Sequence, residues 1–278
     1  MTAAAPKQVV VTGAFDDLRS PQIRFLEEAA RLGEVTVLLW ADDLVRQFEG
    51  QPPKFRLAER AYFLRAIRFV RRVHVVTRQF DGNALPDVAG LKPEVWAVRE
   101  SEHNAARKSF CAARGLHYRV VRDEQLRGFP EAPPDPPPSA SGHKRVLVTG
   151  CYDYVHSGHV RFFEEVSAYG DVYAVLGQDA NLRLLKGPGH PLFPQQERRY
   201  VVGAIRYVTQ ALIATGHGWL DAEPEIHRLK PNIYAVNEDG DKGGKREYCA
   251  KLGIEYLVLQ RAPAPGLPPR TSTDLRGF

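Results

Sequence analysis

The second half of this chain repeats the first. Residues 9–42, VVVTGAFDDLRSPQIRFLEEAARLGEVTVLLWAD, fall on residues 146–179, VLVTGCYDYVHSGHVRFFEEVSAYGDVYAVLGQD. Fourteen of these 34 positions are identical, among them Thr12/Thr149, Gly13/Gly150, Asp16/Asp153 and Gly33/Gly170. One inserted residue later the match resumes: ERAYFLRAIRFV lies on ERRYVVGAIRYV, LKPEVWAV on LKPNIYAV and Cys111 on Cys249, and LRGF closes both halves. Collinear agreement of this kind means that one folding unit occurs twice. Between the copies, FPEAPPDPPPSASGH (129–143) holds six prolines, which neither pair as a strand nor continue a helix. The expected organisation is a domain over 1–129, a linker over 130–143 and a second domain over 144–278.

Each copy has the same local pattern. A β-branched run ending in glycine (VVVTG, RVLVTG) reads as a buried parallel strand. An amphipathic helix follows, with Ile23, Phe25, Leu26, Ala29 and Ala30 on one face in the first copy and Val160, Phe162, Phe163 and Val166 in the second. Strands at VTVLLW and VYAVLG, helices at YFLRAIRFV and YVVGAIRYV, and strands at VHVV and TQALIA come next. A strand (EVWAV, NIYAV), a helix over Cys111 or Cys249 and a last strand (YRVV, YLVL) complete the unit. Strands alternating with helices predict α/β architecture, a tandem duplication of a Rossmann-like, doubly wound parallel sheet with right-handed crossovers. Ligands on such sheets sit beyond the carboxyl ends of the strands, which directs attention to the loops after Gly150, Gly177 and Val236.

Composition sets the outer limits. With 278 residues, 44% hydrophobic and 26% charged, the chain has the make-up of a globular protein rather than a disordered or fibrous one. Three widely spaced cysteines without a Cys-x-x-Cys pair argue against a disulfide scaffold and for a reducing, cytoplasmic setting. Neither a signal-peptide core nor an apolar run of membrane-spanning length is expected. The net charge of +5 suits anionic ligands, but its 38 basic residues are dispersed among 33 acids, so no nucleic-acid surface is indicated.

The sharpest local signal is His156-Ser157-Gly158-His159, directly after the first strand of the second copy. At a helix start, this spacing sets two imidazoles beside N–H groups and the positive end of the helix dipole, an anion site that Gly158 leaves open to close approach. Zinc held by Cys151, His156 and His159 would lack a fourth ligand and the usual spacing. Lys186 is read as lying in a Gly/Pro loop (LKGPGHP) able to fold over a ligand. Arg270-Thr271-Ser272-Thr273-Asp274 follows the last strand and reads as a helix start carrying an arginine and three hydroxyls, a second phosphate cradle. NEDGDKGGKRE (237–247) is not a P-loop, since the upstream glycine is missing and Arg246 replaces Ser/Thr. No G-x-G-x-x-G follows the first strand, which excludes a dinucleotide oxidoreductase of the usual type.

In this order TGCYDYVHSGHVRFFEEV, QDANLRLLKG, PQQERRYVVGAIRYV and PPRTSTDL resemble the cytidylyltransferase-like nucleotidyltransferases, over nearly all of residues 144–278. The resemblance implies a HUP-type fold and transfer of CMP or AMP from CTP or ATP, with Mg²⁺, to a small phosphorylated acceptor, releasing pyrophosphate. It places His156 and His159 on the nucleotide phosphates and Lys186 and Arg198 among the catalytic groups. The loop of Gly150, Cys151, Tyr152 and Asp153, together with Gly158, Arg270, Thr271, Ser272 and Thr273, would bind the nucleotide. Asp179 and Asp239 would face the acceptor or a metal, although Asn237-Glu238-Asp239-Gly240-Asp241 departs from the family's G-D-D-W or G-G-D-Y. Members dimerise, so either a pseudo-dimer of the two halves or a homodimer is implied. A non-catalytic nucleotide sensor and an RNA-binding relative are the alternatives.

The first copy lacks these groups. Arg19 stands for His156, Pro21 for Gly158, Gln22 for His159 and Glu49 for Lys186; on the shared LRGF, Asp123 and Glu124 stand for Ser272 and Thr273. Carboxylates in place of donors predict a copy that does not hold a triphosphate.

Overall fold

In the computed structural model, residues 5–131 and 142–275 are described. The chain divides into two compact units, Met1–Gly128 and Phe129–Phe278. Most of the proline-rich segment and the end of the closing LRGF lie outside the described residues.

The first unit comprises β1 (Gln8–Gly13), α1 (Ser20–Ala30), β2 (Glu34–Trp40), α2 (Asp42–Glu49), α3 (Leu57–Ala66), β3 (Val70–Val76), β4 (Val95–Arg99), α4 (Ala105–Ala113) and β5 (His117–Val121). Its strands form one sheet in the order β3-β2-β1-β4-β5. The second comprises β6 (Arg145–Gly150), α5 (Ser157–Ser167), β7 (Asp171–Leu176), α6 (Asp179–Lys186), α7 (Gln195–Gly203), β8 (Gln210–Ile213), α8 (Glu223–Leu229), β9 (Ile233–Asn237), α9 (Lys245–Leu252), β10 (Glu255–Leu259) and α10 (Ser272–Leu275). Its order, β10-β9-β6-β7-β8, is the same topology, and every pairing in both sheets is parallel. The expected fold is the observed one.

The central strands are apolar because they are covered on both faces. Val9, Val10 and Val11 of β1 and Val146, Leu147 and Val148 of β6 are fully buried. Ile23 and Leu26 of α1 and Val160, Phe163 and Val166 of α5 close over them. The turn into the second strand needs glycine in each copy. Gly33 and Gly170 have φ of +153° and +152°, and a Cβ there would lie 2.2 and 2.1 Å from the carbonyl oxygens of Lys7 and Lys144.

Two helical expectations need correction. The helices at YFLRAIRFV and YVVGAIRYV end earlier, at Ala66 and Gly203, because Ile67 and Ile205 drop into the core and the following β-branched residues lead into β3 and β8. Lys186 is not in a loop. It is the last residue of α6, which Gly187 ends at φ +83°. An acidic start and a glycine just past the end were the available signal in DANLRLLKG.

Candidate active site

At the carboxyl ends of β6 and β9 lies a cavity of about 610 Å³, within the range of sites that hold a nucleotide-sized ligand. Gly150, Cys151, Tyr152, Asp153, His156, Gly158, His159, Lys186, Asp239, Thr271, Ser272 and Thr273 all line it, so the separate sequence motifs converge on one cleft. His190, Lys242, Lys245 and Arg261 line it as well and were not anticipated. Each follows a strand end or a glycine-bounded helix end, and position on the sheet's open edge was the only sequence signal for them.

The imidazoles are built into the start of α5. His156 is its N-cap, and Nδ1 accepts from the Gly158 N–H at 3.1 Å; Nδ1 of His159 accepts from the His156 N–H at 3.4 Å. The ring centroids are 4.0 Å apart. Of the N–H groups that the sequence offered to a ligand, those of His156 and Gly158 are therefore taken by the histidines themselves. With Nδ1 accepting, a neutral ring carries its proton on Nε2, so each imidazole offers one fixed N–H donor. Burial pushes the pKa of His159 down to about 4, reinforced by Arg261 and Lys186 and opposed by Asp239. His159 is neutral at pH 7, a dipolar donor rather than a cation. Gly158 is required beside it, since a Cβ would come within 2.9 Å of His156 Cε1.

The remaining walls are set by backbone contacts. Ser272 Oγ donates to the Tyr154 carbonyl at 3.1 Å, tying α10 to the loop before α5. Thr271 Oγ1 accepts from the Asp274 N–H at 3.1 Å, an N-cap, so the expected helix start is present. Burial raises the Cys151 thiol above its ordinary value despite Lys186 nearby, which disfavours the thiolate that zinc would need.

Arg198, Asp179 and Asp153 are bound into the scaffold, and Arg270 lies outside the cleft. Arg198 is buried beneath the cavity, donating to the carbonyls of Phe193 (2.9 Å), Cys151 (2.6 Å) and Gly177 (2.8 Å) and to Asp179 Oδ1 (2.8 Å). Neither Arg198 nor Asp179 lines the cleft, and the carboxylate of Asp179 is held by that guanidinium. Arg270 is displaced too, facing a neighbouring cavity of about 120 Å³ with Gly158, Phe162, Glu165 and Gln260. Asp153 lines the cleft, but its Oδ1 accepts from the N–H groups of Leu192 (2.6 Å) and Phe193 (3.0 Å).

The carboxylates also test the expected magnesium site. Asp179 binds Arg198, Asp239 pairs with Arg261, and Asp153 caps a loop. Among the described residues no three His, Cys, Asp or Glu side chains converge as metal ligands. The donor set does not fit a magnesium ion held by protein ligands. Among the same residues, no helix is long and apolar enough to cross a membrane.

Residues 147–267 match the family described as Cytidylyltransferase-like. The FAD synthase of Ferroglobus placidus is 34% identical over 119 residues, which cover 42% of this chain and 75% of that protein. The FAD synthase of Archaeoglobus profundus is also 34% identical over 119 residues, 42% of this chain and 73% of that protein. Bifunctional protein HldE of Azorhizobium caulinodans is 47% identical over 104 residues, covering 36% of this chain and 20% of its own length.

Proposed function

The chain belongs to the cytidylyltransferase-like family and is a nucleotidyltransferase, and we propose that its second unit transfers CMP or AMP from CTP or ATP to a small phosphorylated alcohol, sugar or phosphonate. One observation carries this reading: both imidazoles, Lys186 and the Thr271-Ser272-Thr273 turn line a single cleft at the sheet's open edge. The relatives named FAD synthase favour an adenylyl donor and the family description a cytidylyl one, so both ATP and CTP are carried as donors.

The chemistry needs no general base, because a phosphate monoester is largely dianionic near neutral pH, its second pKa being about 6. A phosphate oxygen of the acceptor attacks the α-phosphorus in line. The bond from that phosphorus to the α–β bridging oxygen breaks, and pyrophosphate leaves with the electron pair. The protein's task is to bring two polyanions together and stabilise charge on the α-phosphoryl oxygens and the leaving group. In this reading the Nε2–H donors of His156 and His159 meet the phosphoryl oxygens, and Lys186 meets the triphosphate tail. Asp153, Asp179 and Arg198 hold the loops that present them.

A pyrophosphate-release screen of CTP and ATP against phosphorylated polyols, sugars, amino alcohols and phosphonates tests the proposal, with His159→Ala as the blank. Release with one triphosphate and one acceptor class, absent in the blank, is the expected result. Release that is undiminished in the blank contradicts it.

A further inference from the structure

The segment NEDGDKGGKRE leaves β9 and enters α9, and two of its lysines line the same cleft as the imidazoles. Gly243, at φ +58°, turns the chain between Lys242 and Lys245, and the Trp219 indole backs this turn: a Cβ on Gly244 would stand 3.6 Å from it. The Lys245 ammonium donates to the Gly240 carbonyl at 3.1 Å, which bends it back over the end of β9.

The carboxylates nearest this corner are each held by another side chain. Asp241 accepts from Arg246 at 3.2 Å and from the Tyr256 hydroxyl at 3.0 Å, Asp221 from Asn181 at 2.9 Å, and Asp239 from Arg261. The imidazoles stand at the start of α5, after β6, and the lysines on the segment between β9 and α9, at the end of the neighbouring strand. Burial pushes the Lys245 ammonium below its ordinary value, with Asp241 and Asp221 opposing the shift.

The first copy shows the same loop closed on itself. Asn104 stands for Lys242 and caps α4, accepting from the Arg107 N–H at 2.8 Å. Arg107 stands for Lys245, and its guanidinium donates to the carbonyls of Gly82 (3.2 Å) and Glu102 (3.0 Å). In the second copy Lys245 makes the counterpart of the Glu102 contact, to the Gly240 carbonyl, but Gly244 precedes α9 without a side-chain cap, and Lys242 and Lys245 both line the cleft.

We propose that Lys242 and Lys245 hold an anionic group of the acceptor other than the attacking phosphate. The acceptor is thus a phosphorylated small molecule with a second phosphate or carboxylate. This rests on the proposed transfer reaction. An amino-alcohol phosphate would instead bring its ammonium group against two others.

The test is calorimetric binding of 3-phosphoglycerate, glycerol 3-phosphate and ethanolamine phosphate, which differ at the end remote from the phosphate. The protein is first loaded with a non-hydrolysable CTP or ATP analogue, and wild type is compared with Lys242→Gln/Lys245→Gln. Wild type is expected to bind 3-phosphoglycerate about tenfold more tightly than glycerol 3-phosphate, and ethanolamine phosphate most weakly. The double variant should lose that tenfold preference and keep its affinity for the analogue, which also reports its folding. Equal affinities in wild type, no measurable 3-phosphoglycerate binding, a preference retained in the variant, or weakened analogue binding in the variant each overturn the inference. A wild type that binds neither analogue contradicts the proposed function itself.

Discussion

The two copies share one sheet topology and differ at the carboxyl end of the first strand, and that contrast separates scaffold from chemistry. Asp16, like Asp153, accepts from two successive backbone N–H groups, Lys54 at 2.5 Å and Phe55 at 2.9 Å. Arg60, like Arg198, is buried and donates to three carbonyls, Phe55, Ala14 and Trp40, and to the aspartate that opens the preceding helix, Asp42 at 2.6 Å. Tyr152 and Phe15 hold the same left-handed backbone, φ +49° and +45°. What both copies keep is the architecture of the strand-end loops.

What they do not share is the set of donors. The first copy caps α1 with Arg19 and Gln22, and its cavity of about 270 Å³ is lined by Asp16, Glu49 and Glu102 along with Trp40 and Arg99. Burial raises the Glu49 carboxyl, with Asp16 adding to the shift and Arg60 opposing it. Burial raises Glu102 too, as does Glu49. A triphosphate placed there would meet Glu49 and Glu102 where the second copy offers Lys186 and Gly240, and Gln22 where it offers His159. An α-helix that starts equally well with Arg-Ser-Pro-Gln shows that the histidines are not needed to form it.

The largest expected effect falls on the shared clamp. Arg198→Ala and Arg60→Ala should each destabilise their own unit by about 3–5 kcal/mol, the cost of leaving buried partners uncompensated, read by chemical denaturation. An Arg198→Ala protein with wild-type stability and lost turnover would return that arginine to catalysis and break the comparison.

His156→Ala and His159→Ala come next, since both remove a donor the first copy lacks. Each should lower kcat about 10²–10³-fold, corresponding to ~2.7–4 kcal/mol for one fixed transition-state donor, with α5 intact by circular dichroism. An effect confined to KM would assign the imidazoles to ground-state binding.

The smallest effect is a pH dependence. An unfolded chain protonates His159 near pH 6.5, whereas the folded ring resists down to about 4. Its neutral form is fully accommodated above pH 6.5, and as pH falls from 6.5 to 4 the second unit loses up to about 3 kcal/mol on this account. His159→Gln, which writes in the first copy's residue, should flatten that slope of stability against pH. An unchanged slope would contradict the buried, neutral assignment.

The duplication, the strand order and the converging motifs were legible in the sequence because they rest on periodicity, glycine-ended strands and helix-start chemistry. Roles that depend on hydrogen-bond partners were not. Arg198 and Asp179 lie in motif positions, and only their contacts reveal that they bind the scaffold and each other. Lys242, Lys245 and Arg261 are ordinary charges in sequence and become cleft residues once β9 and β10 bring them to the open edge. The short helices α2 and α6 escaped notice because eight residues give barely two turns of pattern.

The central claim is that one copy of this duplicated domain holds the nucleotide and the other does not. Titrating the full chain with CTP and with ATP by calorimetry measures it directly. One triphosphate site per chain is expected, lost in Lys186→Glu combined with His159→Gln and unchanged in Glu49→Ala. Two sites per chain, or a site that survives the exchange in the second copy, would contradict it.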